Sequence, residues 1–178
     1  MRNLLLLLLC CSTLAGFAQA ERMQGKVVKD FGATYAVPVP DIATDTTTPF
    51  RVVFDIKSAP EDPEAINPYL ATVARFLNMH VQAGKPKEQL LPVMVVHGNA
   101  AYGLLNDAAY QEKFGVNNPN LPLLEALHAE NIPIILCGQT AAHRNISEAR
   151  RYQEVQVALS SMTALIQYQN KGYALIPL

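Results

Sequence analysis

Ile132-Pro133-Ile134-Ile135-Leu136-Cys137-Gly138-Gln139-Thr140-Ala141-Ala142-His143-Arg144 is the stretch that decides the fold. Its first half is a short apolar run without alternation, the pattern of a strand buried on both faces of a parallel sheet. Pro133 stands at the opening of that run, where a missing N–H does little harm. The run ends at Cys137 and Gly138 follows at once, so the chain can turn sharply and its backbone can approach a neighbour closely. Cys137 is therefore expected at the carboxyl end of a buried strand, facing the next segment. In open α/β sheets that edge gathers ligands and chemistry.

The pattern around this stretch repeats. Phe50 to Ile56 reads as a strand interrupted only by Arg51 and Asp55. Asp62 offers an N-cap and Pro63 a first helical position. Ile66, Tyr69, Leu70, Val73, Phe76, Leu77 and Val81 then form one stripe at helical spacing, stopped by Gly84 and Pro86. Leu90 to His97 is a second buried strand, followed by a helical patch after Gly98. A loop spans Gly115 to Asn120, and a short helix Leu121 to Glu130 leads into the Cys137 strand. Asn145 with Glu148 resembles a capping pair for a long helix carrying Val155, Ala158, Leu159, Met162, Leu165 and Ile166. Gly172 caps that helix, and Tyr173 to Leu178 closes the chain as a strand. Strands alternating with helices predict an α/β fold with a mainly parallel sheet flanked by helices.

Ahead of this lie two other segments. Arg2, the apolar run from Leu4 and the small residues Ala18-Gln19-Ala20 have the form of a cleaved secretory signal over residues 1–20. The run is too short to span a membrane. A lipoprotein signal needs a small residue before the acylated Cys, and Leu9 and Cys10 stand there instead. Cleavage removes Arg2, taking the formal charge from −1 to −2, and removes Cys10 and Cys11. Cys137 is then the lone cysteine, either a reactive or intermolecular thiol or a small buried hydrophobe. Residues 21–49 read as an arm, with extended pieces at Val27-Val28 and Tyr35 to Val39, lying over the domain or a neighbouring subunit.

Near-neutral charge, the absence of Trp and the lack of a basic cluster argue against a nucleic-acid partner. Gly98 and Gly103 have P-loop spacing, but Leu104-Leu105 stand where Lys and Ser or Thr must reach phosphate and Mg²⁺. His80, His97, His128 and His143 are too scattered for a zinc site. Asn145-Ile146-Ser147 fits a glycosylation sequon, relevant only in a eukaryotic secretory pathway. What remains is one edge of the sheet, where Asp55 to Ser58, His97-Gly98-Asn99 and Cys137-Gly138-Gln139 end three strands. A helix N-terminus or a cationic His97 beside Cys137 would favour its thiolate. The competing reading of His97 is a histidine bonded to backbone at a turn.

Val95-Val96-His97-Gly98, the Asn-containing loop before Leu121, Ile134 to Cys137 with Ala141, Ala142 and Arg144, and the terminal Gly172-Tyr173-Ala174 together resemble the DsrE/DsrF-like sulfur-relay family. The resemblance covers residues 50–178 and leaves the arm and signal outside. It implies a three-layer α/β sandwich, assembly as a homotrimer or hexamer, and a cysteine that carries a persulfide, matched here by Cys137. On that basis the chain is expected to be an exported sulfur carrier or sulfurtransferase, periplasmic or secreted. Cys137 would be the nucleophile. Gly138, Gln139 and Thr140 would supply N–H groups, and His97, Gly98 and Asn99 would line the pocket. Its partners would be other copies of itself and a sulfur donor and acceptor, protein or small sulfur compound, with no metal or organic cofactor. Relay members are generally cytoplasmic, whereas this chain carries an export signal. The alternative is a non-catalytic oligomeric module binding a small ligand in the same strand-end pocket.

The processing expectation is directly measurable. N-terminal sequencing of the protein from an expressing cell should find Glu21 first, in a non-cytoplasmic fraction; a retained Met1 in the cytosol would refute it.

Overall fold

The computed structural model describes residues 21–178, so the signal segment 1–20, with Cys10 and Cys11, lies outside the described residues. Seven strands and five α-helices follow in order: β1 (Arg22–Met23), β2 (Thr34–Tyr35), β3 (Phe50–Ile56), α1 (Pro68–Gln82), β4 (Leu90–Val96), α2 (Asp107–Phe114), α3 (Leu121–Ala129), β5 (Ile134–Cys137), α4 (Gly138–His143), β6 (Gln156–Ala158), α5 (Ser161–Asn170) and β7 (Ala174–Pro177). A 3₁₀ turn, Gly98–Leu104, joins β4 to α2.

The main sheet has the order β6-β5-β4-β3-β7, and all four pairings are parallel. Ile56 pairs with Val96 and Val96 with Leu136, so the central strands end nearly level. Successive side chains on each strand point to opposite faces. Val52, Phe54, Ile56, Met94, Val96, Ile134 and Leu136 feed the larger core, shared with α1, α3 and the 3₁₀ turn. Val53, Val93, Val95 and Ile135 feed a smaller core with Ala164 of α5. Helices thus cover both faces, as the alternating pattern requires.

Two boundaries differ from the sequence reading. The helix expected from Asp62 begins at Pro68, capped by Asn67, whose Oδ1 accepts the Tyr69 N–H at 2.9 Å. Asp62 turns its carboxylate onto the Glu64 N–H instead and makes a local turn. The long helix expected from Asn145 does not form. Asn145 adopts φ +55° and ends the α4 segment, and the chain passes through a 3₁₀ turn at Glu148–Arg150 before β6. Ser160 then caps α5, its Oγ accepting the Thr163 N–H at 3.0 Å. A three-residue edge strand is shorter than any pattern needs to be recognised. Val155, Ala158 and Leu159 fell at helical spacing by their place around it.

The loops at the carboxyl edge are tied by three buried asparagines. Asn118 donates from Nδ2 to the Gly103 and Leu105 carbonyls, and its Oδ1 accepts both the backbone N–H and the side-chain amide of Asn120. Asn120 Oδ1 in turn accepts the Asn67 N–H at 2.7 Å, and Asn67 donates to the Ser58 carbonyl. This chain of amides joins the segments after β3, β4 and α2.

The arm lies over its own domain. β1 and β2 form a two-residue antiparallel pair. Asn78 of α1 is fully buried; its Oδ1 accepts the Val27 and Val28 N–H groups, and its amide donates to the Val28, Phe31 and Gly32 carbonyls. Gly32 has φ +64°, and a Cβ there would stand 2.2 Å from the Arg75 nitrogen, so no other residue fits. Farther along, buried Lys85 donates to the Asp45 and Thr48 carbonyls and sits 3.8 Å from the Phe50 ring centre.

Removing Asn78 leaves several backbone groups unpaired in a dry site, each costing about 1–3 kcal/mol. Asn78→Ala is expected to lower the unfolding free energy by about 2–4 kcal/mol in urea titration and to make residues 21–49 the first target of limited proteolysis. Wild-type stability in that variant would show that the clip contributes nothing.

Candidate functional site at the carboxyl edge of the sheet

Cys137 ends β5 and serves as the N-cap residue of α4, with extended φ −63° and ψ 117°. Alternation from Leu136, which faces the larger core, directs the Cys137 side chain to the α5 side. Gly138 allows the next contact: a Cβ there would lie 2.6 Å from the Ala158 carbonyl oxygen. Gln139 Nε2 donates to the Leu159 carbonyl at 3.3 Å, binding α4 to the turn between β6 and α5. The sulfur therefore lies between the first turns of two helices.

Burial pushes the Cys137 thiol up, but the hydroxyl and amide of Thr140 and the amide and hydroxyl of Ser161 outweigh it, leaving the thiol more acidic than an ordinary one. The sulfur makes no close capping hydrogen bond. The polar groups around it favour the charged form rather than tethering the neutral one. Cys137 is 4% exposed.

His97 stands one residue beyond the Val96–Leu136 pairing, on the strand beside Cys137 and on the same face of the sheet. Its Nε2 lies 2.9 Å from Asp55 Oδ1, and its backbone N–H donates to the Ile56 carbonyl. The carboxylate that holds His97 is thus Asp55 of β3. The groups that lower the thiol's pKa are Thr140, in the first turn of α4, and Ser161, in the first turn of α5.

The remaining expected residues divide between two places. Thr140 acts on the thiol, while Gly138 and Gln139 hold the start of α4 against Ala158 and Leu159. Gly98, with φ +57°, packs against the Lys57 carbonyl. Asn99 accepts a hydrogen bond from Arg144 Nη2 at 2.8 Å, and Arg144 stacks 4.6 Å from the Tyr102 ring centre. Asn99 also lines a cavity of about 330 Å³ between the segment after β3, the 3₁₀ turn and α2. Of the expected pocket residues only Asn99 reaches it. Tyr102, Tyr110 and Phe114, which wall it, pack with the larger core, whereas Cys137 faces α5.

Ser161 was missed in the sequence. A start signal was present in Ser160-Ser161 with Thr163, but the expected long helix ran through it. The Asp55–His97 pair was missed because it joins residues 42 positions apart. Among the described residues no three His, Cys, Asp or Glu side chains cluster to hold a metal ion, and no helix is long and apolar enough to cross a membrane.

Several solved structures share the fold. A protein of unknown function from Methanobacterium thermoautotrophicum superposes with a TM-score of 0.55 at 16% identity, covering 72% of this chain and 99% of its own. The ychN protein from E. coli gives 0.53 at 19% identity, covering 72% and 99%. No curated protein matches the chain. The DsrE/DsrF-like family matches residues 51–178, from the first strand of the main sheet to the carboxyl terminus, and the chain belongs to that family.

Proposed function

We propose that this protein is an exported, oligomeric sulfur carrier in which Cys137 holds sulfane sulfur as a persulfide. Family membership fits a sulfur-relay role in general. The observation that carries the reading to Cys137 is the environment of its sulfur. Four polar groups at two helix starts lower the pKa of this thiol, which supports reading it as a nucleophile.

In the loading step the Cys137 thiolate attacks the outer sulfur of a donor persulfide, R–S–S⁻. A new S–S bond forms, the donor S–S bond breaks, and RS⁻ leaves to take a proton from water. An acceptor thiolate then attacks the terminal sulfur and returns Cys137 as thiolate. Sulfane sulfur moves without net oxidation. The amides and hydroxyls of Thr140 and Ser161 steady the anion at both stages. Because Cys137 is only 4% exposed, loading requires local opening around the sulfur.

Incubation with a polysulfide donor should add about one sulfur mass, ~32 Da, per chain, removable by reductant and absent in Cys137→Ser. The polar groups around Cys137 lower its pKa from the ordinary thiol value, so alkylation should reach half its plateau rate at lower pH than for a free thiol. Ser161→Ala removes a group that favours the anion and should shift that midpoint upward. A Cys137 unreactive until denatured would end the proposal.

Assembly is proposed through the α5 face. Leu159, Met162 and Ile166 are 73%, 70% and 57% exposed, an apolar row beside the thiol. Light scattering at micromolar concentration should give a multiple of the monomer mass, and Met162→Lys with Ile166→Lys should dissociate it. A wild-type monomer would refute this.

A further inference from the structure

We propose that the cavity walled by Tyr102, Tyr110 and Phe114 is a binding site for a small organic monoanion, its carboxylate or sulfonate head at Lys113, with Arg144 adding positive charge at the Tyr102 ring, and its apolar body against the aromatic walls. This site is separate from the persulfide chemistry and does not depend on it. A volume of about 330 Å³ is at the small end of ligand pockets, roughly 300–1,000 Å³, which suits a body of one ring and excludes a nucleotide.

The walls are preformed. Tyr110 and Phe114 pack at 4.6 Å between ring centres, and Tyr102 meets Phe114 edge-on at 5.7 Å. Tyr110 Oη donates to the Pro63 carbonyl, fixing one wall to the segment after β3. Asn67 and Asn120, both buried, form the floor and belong to the amide chain that locks these loops together. A ligand entering this space need not order it.

The charge gives the sign of the ligand. Lys113 Nζ lies 4.3 Å from the Tyr102 ring centre and the Arg144 guanidinium 4.6 Å from the same centre. Among the described residues neither cation pairs with a carboxylate within ion-pair distance. Glu61 also lines the cavity but is exposed. Lys113 lines the cavity, and Arg144, outside its lining, lies against the same ring, so both add positive potential at the Tyr102 wall. Burial raises the Tyr102 phenol, yet Arg144 and Lys113 together leave it more acidic than usual, a sign of positive potential at the wall. Aromatic walls beside Lys113, which among the described residues has no carboxylate partner within ion-pair distance, fit an amphipathic anion better than a metal ion.

Calorimetric titration of the mature protein with benzoate, benzyl alcohol and benzylamine tests the assignment. Benzoate should bind saturably at one site per chain, at least about tenfold tighter than the neutral alcohol or the amine. Lys113→Gln with Arg144→Gln should weaken benzoate at least about tenfold, and Cys137→Ser should leave it unchanged. Lys113 is exposed, so Lys113→Gln alone, expected to weaken benzoate about threefold, serves if the double variant misfolds. No saturation by benzoate or benzenesulfonate at about 10 mM would overturn the proposal. Equal affinity for benzyl alcohol would do so too, as would full affinity in the charge-neutralised variant. Loss of binding in Cys137→Ser would show that the anion sits at the sulfur.

Discussion

Parallel pairing is the constraint on which the rest depends. Because every neighbour in the main sheet runs the same way, each strand delivers its last residue to one edge and each return must cross a face. The near-level ends of β3, β4 and β5 bring Asp55, His97 and Cys137, distant in sequence, to one edge and one face of the sheet, with Asp55 two residues behind the other two. The loops beyond that edge have no ladder to satisfy their backbone, and buried amides supply it. Asn67, Asn118 and Asn120 connect there what hydrogen bonds between strands cannot reach.

A sheet has two faces, and its edge inherits both. On the α5 side a nearly enclosed sulfur lies between two helix starts; on the α1 side an open, aromatic, cationic cavity is cut into the loops. Helix α4 connects them, with Cys137 at its amino cap and Arg144 at its carboxyl cap. One short helix thus has the thiol at one end and, at the other, a guanidinium held by a ring and an amide.

The central elements were legible because their patterns are long. Phe50–Ile56 and Leu90–Val96 are uninterrupted enough to read as buried strands, and the stripe from Leu70 to Leu77 fixes α1. Cys137 was legible as a strand end because Gly138 follows it. What escaped was short or tertiary. The edge strand β6 has three residues, and its neighbour Ser161 acquires meaning only when β6 turns α5 back toward Cys137. Between two Asx-Pro pairs, Asp62-Pro63 and Asn67-Pro68, local propensity does not discriminate. The contact from Asn120 to the Asn67 backbone does, and it spans 53 residues. The cavity shows the same limit, since its aromatic residues each read as ordinary helix positions.

The clip at Asn78 also bears on the order of events in folding. Its partners Val27 and Val28 precede it by some 50 residues, and it takes up both their N–H groups and the Val28 carbonyl. Synthesis runs from the amino terminus, so residues 21–49 leave the ribosome before the helix that will receive them. Closing a loop of that length costs entropy before any contact rewards it. The earliest part of the domain to emerge is therefore among the last to become ordered, and the main sheet and α1 must assemble while it waits.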